Sequence, residues 1–224
     1  MTIVGIDYSK NSPAACIRDD NGLRFLAFPR GEDRIDNEKK KDKGTVQYRG
    51  VKASGVEFNF HNSRSPQMKA IGYSLMEAWK INDAMELAKL VVSQLPDEID
   101  MVGIEGFSYG ARGNAVLDMA GYGYCIRAEL VKKYGHEKLC IFAPSAVKKT
   151  AGKGNAGKPQ MMEYLLESDD VILQATSFWK GLISEENFNR TLKPVDDLVD
   201  AYWVQECTQR YHIDMIGEKL NITE

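Results

Sequence analysis

Two short apolar runs, far apart in the chain, each stop at a carboxylate: "TIVGIDYS" holds Asp7 and "IDMVGIEGFS" holds Glu105. Runs of this length and polarity read as strands buried inside a sheet. "PAACIRDD" and "LRFLAFPR", joined by Asn21-Gly22, form the strongest short-range hairpin signal and predict two antiparallel strands after the first. "KLCIFAP" predicts one more strand. From Ser74 to Leu95 the residues Leu75, Met76, Trp79, Met85, Leu87, Ala88, Val91, Val92 and Leu95 recur at helical spacing until Pro96 stops them. Further helices are predicted over "NAVLDMAGYGYCIRAELVKKYG", ending at Gly135, over "KPQMMEYLLES" from about Pro159, and over "VDDLVDAYWVQECTQRY". Antiparallel strands first and a β-α-β-α order afterwards imply an α/β fold: a mixed sheet, three antiparallel strands and then parallel ones, flanked by helices.

At 224 residues the chain is expected to form one domain spanning 1–224. Residues 31–44, "GEDRIDNEKKKDKG", are nearly all charged and cannot contribute core, whereas "TVQYRGVKASGVEFNF" alternates like a further hairpin. Together 31–66 read as an insertion. A 43% hydrophobic and 27% charged composition is that of an ordinary soluble globular protein. No apolar run approaches the roughly 20 residues of a spanning helix, and "MTIVGIDYSK" lacks the form of a cleaved signal. The expected location is cytoplasmic, with no membrane partner. Cys16, Cys125, Cys140 and Cys207 are scattered, without metal-ligand spacing, and read as reduced and mostly buried. His61, His136 and His212 are isolated in sequence and read as surface or hydrogen-bonded residues.

"KPVDDLVDAYWV", residues 193–204, crowds Asp196, Asp197 and Asp200 against apolar neighbours. An aspartate at a helix start is favourable as a cap and toward the helix dipole, which accounts for Asp196 or Asp197 but poorly for Asp200. At about 100° per residue, Asp197 and Asp200 lie about 60° apart on one face. Asp7 and Glu105 sit at carboxyl ends of strands, where α/β sheets gather ligands. Four carboxylates converging on one spot would repel one another unless cations neutralise them. Hard oxygen donors with open positions suit Mg²⁺ or Mn²⁺.

The net charge is −3, yet Lys148, Lys149, Lys153 and Lys158 fall within a stretch that contains no acid, which offers a local phosphate-binding surface. "GKGNAGKP" nearly fits the phosphate-loop string of ATPases. Pro159 stands where that string needs a hydroxyl residue, however, and the polar-basic "SAVKKT" separates the string from the strand "CIFAP". The ATPase reading is set aside.

Asp7 in "IVGIDYS", Glu105 in "VGIEGFS", the segment "APSAVKKTAGKGNAGKPQM" and the D-x-x-D-A of Asp197 to Ala201 together resemble the RuvC-type Holliday junction resolvases of the RNase H-like superfamily. The string G-x-G-x-A-x-K, here Gly152, Gly154, Ala156 and Lys158, is the most specific piece of the resemblance. It covers roughly 1–30 and 74–212, in the same order. The resemblance implies an RNase H-like sheet and a crossover junction endodeoxyribonuclease that nicks a four-way DNA junction symmetrically. Asp7, Glu105, Asp197 and Asp200 would be its catalytic and metal-holding acids, for two Mg²⁺ per active site with Mn²⁺ able to substitute. It implies DNA contacts by Lys148, Lys149, Lys153 and Lys158, and an aromatic that pushes into the junction, for which Phe107 and Tyr109 both qualify. Asp196 is left to cap the last helix. The resemblance names no helicase partner.

This sequence departs from the family pattern in the insertion at 31–66, in the spacing of the aromatics in "GFSYGARGN", and in a longer segment between Ser168 and Lys193. A two-fold symmetric junction calls for a homodimer. The helix 114–134, where Gly121 and Gly123 permit close approach, is its expected interface, with packing inside the chain as the rival use of those glycines. Other readings keep the fold and change the substrate or the role. One is a nuclease for flaps, branched replication intermediates or RNA–DNA hybrids; another is a scaffold that binds branched DNA without cutting it.

Overall fold

The computed structural model describes residues 1–31, 50–61, 72–107, 114–184 and 193–222. Strands β1 (Ile3–Asp7), β2 (Ala14–Asp19) and β3 (Gly22–Ala27) are followed by β4 (Glu57–Phe58), helix α1 (Tyr73–Ser93), β5 (Met101–Glu105), α2 (Asn114–Tyr134) and β6 (Leu139–Phe142). Helices α3 (Pro144–Ala151), α4 (Lys158–Leu166), α5 (Val171–Ala175), α6 (Ser177–Ile183) and α7 (Val195–Ile222) complete the chain. The strands form one sheet in the order β4-β3-β2-β1-β5-β6. β2 runs antiparallel to β1 and β3, while β1, β5 and β6 are mutually parallel. This mixed sheet, three antiparallel strands followed by parallel ones and flanked by helices, is the arrangement expected from the sequence.

Each face of the sheet carries its own core. Val4, Ile6, Ala15, Ile17, Val102 and Ile104 pack against α1 and α2 through Leu87, Val91, Ile126 and Leu130. On the other face Ala14, Cys16, Phe25 and Ala27 meet α3 to α7 through Val147, Leu165, Phe178, Leu198 and Tyr202. Side chains alternate along a strand, so Gly5 and Asp7 share the second face, as do Gly103 and Glu105. Gly5 and Gly103 are register partners in adjacent strands. A Cβ on Gly5 would lie 2.6 Å from the Ala201 carbonyl oxygen and overlap Gln205 N; one on Gly103 would overlap Thr208 Oγ1. The paired glycines therefore form a flat seat onto which α7 settles, and this seat fixes where the start of α7 meets the strand ends.

Arg18 of β2, 7% exposed, holds the same helix from the side. Its guanidinium donates to Gln205 Oε1 at 3.3 Å and to Glu206 Oε1 at 2.8 Å, and pairs with Asp170, which also accepts from Tyr202 Oη at 3.0 Å. Asp170 additionally caps α5 by accepting from Ile172 N. The segment after Ser168 is thus core material. α5 and α6 bury Leu173, Phe178 and Leu182, and the Phe178 ring lies 4.6 Å from that of Phe25.

Two sequence expectations are corrected. The predicted hairpin over 45–60 is not formed in its described part: residues 50–53 are helical, Gly55 turns at φ 83°, and β4 pairs parallel with β3. The helical turn lets Val51 and Val56 both enter the core, which a hairpin's alternation would have split between two faces. "SAVKKT" is not a link but lies in α3, with Pro144 in its first turn and Val147 as its buried residue. Most of 31–66 lies outside the described residues. Within it, Gly31 N donates to His61 O at 2.9 Å, beside the Arg30–His61 bridge. Within the described residues no helix is long and apolar enough to cross a membrane.

Candidate functional site

Asp7 ends β1, Glu105 ends the neighbouring β5, and both share the face on which α7 begins. Asp197 and Asp200 lie within the first turns of α7, the first one turn before and the second directly before the Ala201–Gln205 stretch seated on Gly5. The fold therefore brings the four expected acids into one electrostatic neighbourhood. Burial pushes the Asp7 carboxyl well above the ordinary aspartate value, and Asp197, Asp200 and Glu105 each push it further. Burial likewise raises Asp200 to about 6, with Lys158 opposing and Glu105, Asp197 and Asp196 adding to the rise. Asp197 and Glu105 are raised chiefly by burial, against the pull of Lys193 on the first and of Lys148 and Lys158 on the second.

Two lysines stand among these acids. Lys193 Nζ, one turn before Asp197, lies 2.5 Å from its Oδ1, and Asp197 is only 2% exposed. Lys158 Nζ lies 2.5 Å from Asp196 Oδ2 and 3.7 Å from Asp200 Oδ2. Asp196 thus does not cap α7. It is the second residue of the helix, its Oδ2 accepts from Lys158, and its Oδ1 is buried without a partner. Lys193 is not legible as a site residue, because it precedes α7 and its pairing with Asp197 arises only in the fold.

The string Gly152-x-Gly154-x-Ala156-x-Lys158 acquires a structural account. It joins α3 to α4, not a strand to a helix, which agrees with setting aside the ATPase reading. Gly152 takes the Tyr164 ring against its Cα, Gly154 faces the Ser145 carbonyl, and Ala156 is fully buried. The tight turn delivers Lys158 at the start of α4 to the acids. Lys148 lies on α3 near enough to Glu105 to lower its pKa, while Lys149 and Lys153 are exposed.

An open cleft of about 440 Å³ runs along the strand ends, lined among others by Asp7, Lys10, Glu105, Phe107, Arg127 and Lys193. Phe107, two residues past the end of β5, lies against α2 where Gly123 leaves room, since a Cβ there would be 2.5 Å from the ring. The close approach at Gly123 is thus used inside the chain, whereas Gly121 has nothing within 4 Å. Tyr109 lies outside the described residues.

Divalent cations fit this donor set. The acids are hard oxygen donors, burial and then mutual repulsion keep Asp7 and Asp200 abnormally basic, and Asp196 Oδ1 is buried without a hydrogen-bond partner. Among the described residues no three such side chains are yet closed around a single point. Lys158 instead pairs with Asp196 and Asp200, and Lys193 with Asp197.

No family model matches this sequence, and no curated protein matches it. Solved structures similar to the chain include Thermus thermophilus RuvC in complex with a Holliday junction substrate, at a TM-score of 0.45 and 14% identity over 92% of each chain. Another is a Thermus thermophilus RuvC structure, at a TM-score of 0.43 and 11% identity over 97% of each chain.

Proposed function

We propose that the chain is a divalent-metal-dependent endodeoxyribonuclease that resolves four-way DNA junctions by paired, symmetric nicks. The observation that carries this reading is the electrostatic coupling of buried Asp7 to Asp197, Asp200 and Glu105 at one end of the sheet, where Asp7 and Glu105 line an open cleft. Burial and mutual repulsion make such a cluster costly, and bound cations would offset that cost. The likeness of the surrounding motifs to the RuvC-type resolvases supplies the substrate class.

In this reading Asp7, Glu105, Asp197 and Asp200 hold the magnesium ions, two per site. When bound, the ions would supply a nucleophilic hydroxide at neutral pH and stabilise the leaving 3′ oxygen. The chain's own residues do the remainder. The glycine seat fixes the acids relative to one another. Lys193 and Lys158 limit the repulsion among them before ions arrive. Lys148, Lys149 and Lys153, on and after α3, take backbone phosphates as point charges without reading sequence. The working unit is a homodimer through α2, whose Leu117, Gly121, Tyr124, Ala128 and Val131 form an exposed stripe at helical spacing. Residues 31–66 are an addition to the single nuclease domain.

The test is a panel of end-labelled four-way junctions, flaps, RNA–DNA hybrids and plain duplexes, each incubated with and without Mg²⁺. Symmetric nicks in the four-way junction, dependent on Mg²⁺, are expected. Equal cutting of plain duplex would remove junction selectivity, and cutting of flaps or hybrids alone would reassign the substrate.

A further inference from the structure

Three cations line the cleft, and among the described residues two of them are already matched to acids. Lys10 Nζ lies 2.8 Å from Asp118 Oδ2, and Lys193 Nζ lies 2.5 Å from Asp197 Oδ1. Arg127 is the third, and no carboxylate among the described residues pairs with it. Its Nη2 makes one long hydrogen bond, 3.5 Å, to the Glu105 carbonyl oxygen, and its Nε is buried without a partner. A half-buried guanidinium without a counter-ion carries a desolvation cost that an anion in the cleft would offset. Burial accordingly holds its pKa below the ordinary arginine value.

The stacking around it is specific. The guanidinium carbon lies 4.1 Å from the centre of the Phe107 ring and 5.6 Å from that of Tyr124. Phe107 is seated by Gly123, one helical turn before Arg127, so the ring forms a plate that fixes the guanidinium plane. A fixed, planar fork of donors lacking an acid is built for a phosphate, which it engages through two parallel hydrogen bonds. The backbone of Glu105 ties this fork to the carboxylate site.

Resting on the nuclease reading above, we propose that Arg127 is a phosphate clamp: it grips a DNA backbone phosphate neighbouring the one at the carboxylates and sets the register of the strand in the cleft. Phe107, in this account, serves first as the plate that orients the clamp.

The experiment measures binding of a fluorescent four-way junction in Mg²⁺ over a range of salt. It uses the full-length Asp7→Asn protein as parent and Arg127→Met and Arg127→Lys in that background, with thermal unfolding of each protein. Arg127→Met is expected to keep the parent's Tm within a few degrees, to bind about 10- to 100-fold more weakly, and to lower the slope of log affinity against log salt by about 0.9. Arg127→Lys is expected to keep the slope and lose several-fold in affinity, because a point charge cannot form the fork. Parent-like affinity and slope in Arg127→Met would overturn the clamp and leave Arg127 as a prop for Phe107. Should the Met variant fail to fold, the Lys variant decides, and parent-like affinity there overturns the clamp. No binding by the parent would overturn the nuclease reading and this inference with it; binding by the parent that the variants match overturns the clamp alone.

Discussion

Gly5 and Gly103 lie side by side in the centre of the sheet, and the two missing side chains leave the seat on which the last helix rests. The site depends on this contact, because any lift of α7 carries Asp197 and Asp200 away from Asp7 and Glu105. Gly5→Ala and Gly103→Ala are expected to destabilise the protein by about 1–3 kcal/mol or more in urea unfolding, as overpacking does. Gly217→Ala, in the same helix with nothing within 4 Å, is the control. It should stabilise by about 0.5–1 kcal/mol.

Loss of a carboxylate should separate cutting from binding. Asp7→Asn, Glu105→Gln and Asp200→Asn are each expected to reduce junction cleavage by more than the ~10–100-fold typical of residues that only support a ligand. Junction binding should be kept or tightened, since less negative charge faces the phosphates. Asp197→Asn should be as severe, and Asp196→Asn milder, in single-turnover cleavage assays; the reverse order would mean that the helix acids are assigned one residue out.

The same acids predict a pH signature in the metal-free protein. Asp7 and Asp200 keep their protons to higher pH when folded than the ordinary aspartate value of about 4. Between that value and the folded value of about 6 for Asp200, the native state binds more protons than the unfolded state, so stability falls as pH rises. Above it the cost is fully present, on the order of 2–3 kcal/mol from Asp200. Thermal unfolding in chelator should therefore give a lower Tm at pH 7.5 than at pH 5 from this site, and Asp200→Asn should shrink the difference. Added Mg²⁺ should raise Tm more at pH 7.5, where the acids are ionised, than at pH 5.

Lys193 faces an aspartate that is almost wholly enclosed. Lys193→Met should destabilise the metal-free protein at pH 7.5 by about 1–3 kcal/mol, the cost of leaving a buried charged acceptor unmatched. Mg²⁺ should recover most of that loss. A variant as stable as the parent in metal-free conditions at pH 7.5 would show that Lys193 is not a counter-ion of the site.

The proposed dimer through α2 can be tested directly. Leu117→Glu combined with Val131→Glu, at positions 72% and 39% exposed and away from the Arg127 stack, should leave the monomer's fold intact and convert a dimer into monomers in sedimentation equilibrium. The monomeric form should nick one strand of a junction without the paired second nick.

The parts of the fold legible in the sequence are those whose residues repeat a short-range rule. β1 and β5 are uninterrupted apolar runs, Asn21-Gly22 turns β2 into β3, and α1 and α2 repeat apolar residues until Pro96 and Gly135 intervene. α3 was hidden because Val147 is its sole fully buried side chain, leaving no periodicity to read beside the start signal of Pro144. α5 and α6 have clear caps in Asp170 and Thr176 but are too short for a repeat. The four acids stood out through their places at strand and helix ends. Lys193 and Arg127 did not. Lys193 gains meaning from the burial of Asp197, and Arg127 from a ring twenty residues earlier in the chain that settles on Gly123, relationships that exist only once the chain is folded.

The most direct measurement is anomalous diffraction from crystals of the full-length protein grown with Mn²⁺. Manganese peaks bounded by Asp7, Glu105, Asp197 and Asp200, with Lys193 and Lys158 drawn off the acids, are the expected result. Carboxylates that remain paired with those lysines at saturating Mn²⁺, with no anomalous peak among them, would contradict the account.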